Sequence, residues 1–194
     1  MKKTSFRDIK PLIFSSTNVA QAFGIGKPSA RVACHRNVHN KTLVRLKRDM
    51  YVLRDRWERS GTEEFYLAAN LLQVPSYVSF TTALSYYGVT TQVQRDFVES
   101  AALVRTKEIK VGDIEFKYMK LKQELYQGFV KKNGYFIATL EKAFLDSLYL
   151  MSLNRYRLDL SAIDRDKLNK KELRRLFKIY PAKVREWIKK NVRF

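Results

Sequence analysis

The sequence predicts an α+β protein in which a small helical unit with a β-hairpin precedes a larger mixed domain. Three observations support this prediction. A glycine turn separates two amphipathic helical patterns near the N-terminus, strand patterns flank two hairpin turns in the middle, and capped helical patterns return at the end. With 194 residues, 45% of them apolar, the chain has room for one or two domains with substantial cores.

The N-terminal pattern begins with a short helix, a tight turn and a second helix. Ser16 is the predicted N-cap of a helix that continues through Ala22. Gly24 ends this helix, because glycine accepts the left-handed conformation without a Cβ clash. Pro28 suits the first turn of the second helix, where its missing N–H group would be unpaired anyway, and that helix should continue to about Asn40.

The second helix has two different sides at about 100° per residue. Small residues form the side expected to face the core: Ala30, Ala33, Cys34 and Val38. Basic residues dominate the other side: Arg31, Val32, His35, Arg36 and His39. Two strand patterns, 43–46 and 50–53, follow around a turn at 47–49. This order predicts a winged helix-turn-helix domain over residues 1–56, whose second helix enters a DNA major groove.

The predicted DNA contacts follow from this arrangement. The helical candidates are Thr17, Asn18, Lys27, Ser29, Arg31, Val32, His35 and Arg36, and the hairpin candidates are Arg45, Lys47 and Arg48. Ser29 and the helix N-terminus can hold a phosphate. Arg31 or Arg36 can hydrogen-bond to guanine O6 and N7, and the hairpin cations should contact the backbone near the minor groove.

The distribution of charge supports a polyanionic partner. The net charge is +19, and residues 1–56 hold 13 Lys+Arg against 3 Asp+Glu. Residues 57–154 hold 11 of each, and residues 155–194 hold 14 against 5. Both basic ends could bind a polyanion in a salt-sensitive way. The C-terminal basic set is Arg155, Arg157, Lys170, Lys171, Arg174 and Arg175, and charge alone leaves flanking DNA, an acidic partner or RNA open for it.

The second domain is predicted over residues 57–194, with a basic helical end from about 155. Capping pairs at Ser60/Glu63 and Asn169/Glu172 and a cap at Thr139 predict helices, and Pro181 precedes the last one, 182–191. Gly112-Asp113 and Asn133-Gly134 predict hairpin turns. Core or packing roles are predicted for Phe80, Ala83, Leu84, Tyr86 and Tyr87.

The sequence offers no enzyme motif and no metal site. GxxxxGK[ST], GxGxxG and HExxH are absent. His35 and His39 are four residues apart, but neighbouring arginines would repel a cation. Cys34 is predicted to be a buried small side chain rather than a nucleophile. Glu141 and Asp146 are five residues apart on a helix, so their side chains point about 140° away from each other and should not form a shared acid–base site. Glu141 is expected in the first turn, where the helix dipole favours an acidic residue, and Asp146 is expected to make a polar contact.

Residues beyond the N-terminal unit carry a family resemblance. The winged pattern, YVSFTTALSYYG at 77–88, two hairpins and TLEKAFLDSLYL at 139–150 together resemble the AbiEi antitoxin family, over most of the chain. The resemblance implies an N-terminal winged domain, a C-terminal antitoxin domain and repression of the protein's own operon through inverted repeats in double-stranded DNA. It also implies a nucleotidyltransferase-like toxin, countered in the type IV manner without a stable complex, as in phage abortive infection. One departure is the wing turn, Arg48-Asp49-Met50, where glycine would be expected.

Two other functions remain open alongside this one. The first is a winged regulator whose neutral, aromatic-rich middle binds a small ligand. The second is an RNA-binding protein or a nucleic-acid-modifying enzyme, which the missing catalytic motifs disfavour. No cofactor is expected. The chain has no apolar run of 18 residues and no signal-like N-terminus, so a cytoplasmic protein without membrane contact is expected.

Overall fold

The computed structural model describes residues 5–90 and 97–192. The chain divides into two compact units, Met1–Ala68 and Ala69–Phe194, called here the N-terminal and C-terminal units. The division falls within a helix, whereas the sequence placed the domain boundary after residue 56. Before the first α-helix, the described chain forms a single 3-10 turn, Phe6–Asp8.

The described chain combines helices and strands, as the predicted α+β class requires. The helices are α1 (Ser16–Phe23), α2 (Lys27–His39), α3 (Arg54–Glu58), α4 (Thr62–Leu72), α5 (Phe80–Tyr86), α6 (Leu140–Ser152), α7 (Lys170–Phe177) and α8 (Ala182–Asn191). The strands are β1 (Leu43–Lys47), β2 (Met50–Leu53), β3 (Ser76–Val78), β4 (Phe97–Ala102), β5 (Lys107–Val111), β6 (Ile114–Lys120), β7 (Phe129–Lys132) and β8 (Tyr135–Ala138).

The N-terminal unit is built from α1, α2 and the antiparallel hairpin β1–β2. Gly24 has φ of 64° and its N–H group donates to the carbonyl groups of the last turn of α1, which ends the helix as predicted. Phe14 pairs with Tyr51 of β2 through both backbone hydrogen bonds, at 2.9 and 2.8 Å. The segment before α1 therefore extends the hairpin and fixes α1 against it.

One apolar core holds these elements together. Its buried members come from every element of the N-terminal unit between residues 9 and 53: Ile9, Phe14, Val19, Ala30, Cys34, Leu43, Tyr51 and Leu53. The small side chains of α2 allow it to lie close to its neighbours. Of the four residues predicted for the inward side of α2, Ala30 and Cys34 are fully buried and Ala33 and Val38 are half-buried.

The C-terminal unit contains a mixed sheet with the strand order β5-β6-β4-β3-β8-β7 in the described residues. The hairpins β5–β6 and β7–β8 are antiparallel and turn at the two predicted sites. The central pairs are less local: β3 is antiparallel to β4 and parallel to β8, and β4 is parallel to β6. Strands that are distant in sequence therefore meet in the middle of the sheet.

Helix α6 is the most deeply buried helix of the C-terminal unit, with every residue from Glu141 to Leu150 buried. Thr139 caps it, as predicted. Glu141 lies in the first turn, and its Oε1 accepts the N–H of Asn169 at 2.9 Å. Asn169 in turn caps α7 by accepting the N–H groups of Lys171 and Glu172. Helix α6 therefore anchors the start of α7.

Several predicted details are wrong by one residue or one partner. Ser15 rather than Ser16 caps α1, and Gly61 with Glu64 replaces the predicted Ser60/Glu63 pair. Glu172 was expected to accept the backbone N–H of Asn169. Because Glu141 accepts that N–H group, Glu172 pairs with Arg175 instead. Among the residues predicted to have core or packing roles, Phe80, Ala83 and Leu84 are fully buried, and the exposed Tyr86 packs against the ring of Tyr87.

Candidate nucleic-acid interface

Within the N-terminal unit, the side chains on the outward side of α2 are exposed and can contact a partner molecule. Arg31, Val32, His35 and Arg36 are all exposed, while Ala30 and Cys34 on the opposite side are buried. A helix that buries small residues on one side and exposes long basic residues on the other can approach a duplex closely. This separation is the one that the spacing of the sequence predicts.

The hairpin adds cations to the same surface. Arg31, Val32 and His35 of α2 line a concave surface together with Arg45 and Arg48 of the hairpin. The cleft that this surface encloses has a volume of about 360 Å³. We call this surface the α2–hairpin cleft; Asp49 and Tyr51 complete its lining. It brings together five of the predicted DNA contacts, from two separate elements, on one side of the unit.

Asp49 explains how the turn of the β1–β2 hairpin forms without the glycine expected there. Its φ of 57° is left-handed, a conformation that aspartate tolerates better than most residues. Its Oδ1 accepts the backbone N–H of Ser16 at 3.1 Å. Partial desolvation would raise the pKa of Asp49, but the hydrogen bonding to Ser16 and the charges of Lys27 and Arg31 lower it overall. The turn is thereby fastened to the first residue of α1.

The other predicted N-terminal contacts lie outside the lining of this cleft. Thr17, Lys27, Ser29 and Arg36 are exposed. Two candidates have restricted side chains: Asn18, whose Oδ1 accepts the N–H of Ser15 at 2.8 Å, and Lys47, which is half-buried and has a pKa lowered by desolvation. The hydrogen bond fixes the orientation of the Asn18 amide and leaves its NH₂ group as the donor for a phosphate. Lys47 is less available than Arg45 or Arg48.

The C-terminal basic candidates are all exposed, but they occupy different elements. Arg155 and Arg157 follow α6, whereas the remaining four lie on α7. Arg175 is held by Glu172 through hydrogen bonds of 2.7 and 2.5 Å. Lys170 lines a separate open cleft of about 490 Å³ with Asp164, Arg165 and Asp166, in which charges of both signs alternate. The set is therefore not a continuous cationic surface.

The sequence analysis missed a buried polar network in the C-terminal unit. Asp146 of α6 accepts hydrogen bonds from Tyr77, Ser79 and Tyr180, each at 2.9 Å. Lys142, four residues earlier on α6, donates to Asp146 and also to the Tyr180 hydroxyl at 3.1 Å. We call these five residues the Lys142–Asp146 network. It joins the end of β3, α6 and the segment between α7 and α8.

The Lys142–Asp146 network contains groups that perform acid–base chemistry elsewhere, but it is closed. Its five side chains are at most 1% exposed, so no substrate reaches them in this conformation. Burial lowers the pKa of Lys142, although Asp146 opposes that shift, and burial raises the pKa of Tyr77 and Tyr180. The i,i+4 spacing of Lys142 and Asp146 in an apolar helix was the signal that could have revealed the pair.

A second buried acid lies beside the first network. The side chain of Glu99 accepts the N–H of Thr81 at 3.0 Å and the Tyr156 hydroxyl at 2.7 Å. Between Ser79 and Thr81, Phe80 is fully buried with φ of 56°, a strained conformation for an aromatic residue. Hydrogen bonding on both sides of Phe80 holds the chain in this sharp turn from β3 into α5.

The comparisons with known proteins assign no family. No protein-family model matches the chain, and no curated protein matches it in sequence. Within the described residues, no three or more His, Cys, Asp or Glu side chains are grouped as a metal ion would require. None of the helices in that part of the chain has the length and apolar character of a membrane span.

Proposed function

We propose that the N-terminal unit is a winged helix-turn-helix domain that binds double-stranded DNA. The observation that carries the proposal is the α2–hairpin cleft, in which an exposed helix face and the cations of a hairpin line one concave surface. Residues 1–68 hold 14 Lys+Arg against 6 Asp+Glu, so counterion release would favour binding to a polyanion. In this assignment α2 is the recognition helix and β1–β2 is the wing.

The resemblance in the C-terminal unit extends this proposal to a biological role. We propose that the protein represses its own operon by binding inverted repeats in the promoter. We also propose that it acts as an AbiEi-like antitoxin against a nucleotidyltransferase-like toxin, without a stable complex and without enzymatic activity of its own. Tyr77, Ser79, Lys142 and Asp146 all belong to the two resembling segments, and they form one buried network. The resembling residues thus act together in holding the C-terminal unit.

A binding titration tests the DNA proposal directly. The full chain is titrated against a duplex from immediately upstream of its own reading frame, with a shuffled duplex as competitor. Arg31→Ala should cost about 1–3 kcal/mol of specific binding if the guanidinium reads a base. Arg59→Ala, an exposed arginine of the same unit outside the cleft lining, is the matched control. Equal affinities for Arg31→Ala and the unaltered chain would contradict the groove assignment.

The salt dependence separates base contacts from phosphate contacts. Removing Arg48 should weaken binding to all duplexes and reduce the slope of log K against log salt by about 1, because one phosphate contact is lost. Removing Arg31 should reduce specificity as well.

The antitoxin role is tested by co-expression with the neighbouring reading frame. If that frame encodes a nucleotidyltransferase-like toxin, this protein should restore growth while the two proteins elute separately in gel filtration. A tight complex would contradict the type IV mechanism, and a neighbouring frame without a toxin would remove the basis for the antitoxin role.

A further inference from the structure

Val32 is the apolar exception on a cationic surface. Its side chain is 51% exposed, and on the outward side of α2 its neighbours are Arg31, His35 and Arg36. At about 100° per residue, Val32 lies between the directions of His35 and Arg36. An isopropyl group is therefore placed near the middle of the surface that the proposed function directs into the major groove.

The chemistry of the α2–hairpin cleft limits what Val32 can contact. Arg31, Arg45 and Arg48 line the same cleft, and their guanidinium groups can bind phosphates or guanine edges. Val32 can make no hydrogen bond, so its only favourable contact is with an apolar group. In the major groove, the apolar group on a natural base edge is the C5 methyl of thymine, and 5-methylcytosine carries a methyl at the same position.

We propose that Val32 recognises the C5 methyl group of a pyrimidine, so that the preferred DNA site carries thymine, or methylated cytosine, opposite this residue. This inference rests on the proposed DNA-binding function and adds to it the chemical class of base that α2 selects. Burying one methyl group against Val32 corresponds to about a fourfold gain in affinity. On α2, His35 and Arg36 flank the contact on either side.

The experiment begins by selecting bound duplexes from a randomised library with the full chain. Each thymine in the recovered site is then replaced singly by deoxyuridine, which removes only the methyl group. We expect one position in each half-site at which this replacement lowers affinity by about fourfold. Val32→Ala should lose affinity for the thymine duplex and should no longer distinguish it from the deoxyuridine duplex. Val104→Ala, which truncates a valine of 53% exposure in the C-terminal unit, should keep the discrimination.

A second arm distinguishes the methyl group from the rest of the base pair. The sensitive thymine is replaced by cytosine or by 5-methylcytosine, each paired with guanine. The methylated duplex should bind about fourfold more tightly than the unmethylated one, and Val32→Ala should remove that difference. Equal binding of the methylated and unmethylated duplexes would mean that the protein recognises the base pair and not its methyl group, and the proposal would fail.

The possible failures are distinguishable. If the chain binds duplex DNA but deoxyuridine is neutral at every position, the methyl inference is wrong and the DNA-binding function stands. If Val32→Ala retains the same deoxyuridine sensitivity, another residue contacts the methyl group and the assignment to Val32 is wrong. If the chain ignores duplex DNA at low ionic strength, the proposed function itself is wrong.

Discussion

Replacing Lys142 by methionine should strongly destabilise the C-terminal unit. Both Lys142 and Asp146 are fully buried, and the substitution leaves the Asp146 carboxylate without its counter-charge. Removing one partner of a buried ion pair costs about 3–5 kcal/mol. Because a typical domain is stable by only about 5–15 kcal/mol, this loss is a large fraction of the total. Methionine retains the length of the lysine stem, so packing changes contribute little.

A double-mutant cycle isolates the charge interaction. Asp146→Asn removes the negative charge but retains one oxygen, which can still accept hydrogen bonds from Tyr77 and Ser79, the two donors to Oδ2. The amide NH₂ group then replaces Oδ1, the acceptor of Tyr180. Alone, this substitution leaves the Lys142 ammonium unpaired and should cost about 3–5 kcal/mol, as Lys142→Met does. The double variant has no buried charge, so its loss should fall short of the sum by about 2–3 kcal/mol.

The assay requires a reporter confined to the C-terminal unit. The chain has two tryptophans, Trp57 in α3 and Trp187 in α8. In a Trp57→Phe background, urea unfolding followed by tryptophan fluorescence reports only the surroundings of Trp187. The midpoint and the slope are then compared among the four members of the cycle.

An exposed ion pair in the same unit provides the control. Glu172 and Arg175 form hydrogen bonds on the surface of α7, where water screens their charges. A cycle with Glu172→Gln and Arg175→Met should show a much smaller coupling than the buried pair. If the Lys142–Asp146 coupling were no larger than this surface coupling, the network would not hold the unit as we describe.

Three further predictions concern single residues. Asp49→Asn should lower stability at pH 7, because the pKa of the Asp49 carboxyl is lower in the folded chain than its unfolded value of 3.8. A carboxylate of this kind stabilises the fold above pH 3.8. The difference in stability between the variant and the unaltered chain, followed by urea unfolding, should therefore disappear as the pH falls below 3.8. Burial raises the pKa of Cys34 to about 11, so a thiol reagent should label the native chain at pH 8 far more slowly than the urea-unfolded chain, and rapid native labelling would contradict this burial. Gly128→Ala should cost about 1–3 kcal/mol, because φ is 76° and the new Cβ would lie 3.1 Å from the stem of the network lysine. Gly88→Ala, with left-handed φ but open space, should cost less, and equal losses would remove the steric explanation.

Local signals in the sequence predicted many of the elements. The cap at Thr139, the turns at Gly112 and Asn133 and the terminating Gly24 each depend on neighbouring residues, and the structure has helices or hairpins at all of these places. The two sides of α2 were also predictable, because helical spacing alone decides which residues share a side. Errors of one residue at caps arose where adjacent serines or a glycine compete for the same role.

Non-local features were beyond the sequence patterns. The parallel pairing of β4 with β6 and of β3 with β8 depends on the packing of the whole sheet. Tyr77 meets Asp146 across 69 positions of the chain, and no spacing rule relates them. The sequence interpretation paired Asp146 with Glu141, whereas the residue one helical turn before Asp146, and therefore its neighbour on the same side of α6, is Lys142.

The anchoring of α7 has a practical consequence for dissecting the basic C-terminal end. Glu141 accepts the N–H of Asn169, and Tyr180 bonds to both Lys142 and Asp146, so the last forty residues of the chain supply parts of the interior. Deleting that end would expose the ammonium and carboxylate of α6 to water. The contribution of its lysines and arginines to any activity must therefore be measured with charge-removing substitutions on intact chains, since a truncated protein would report misfolding instead.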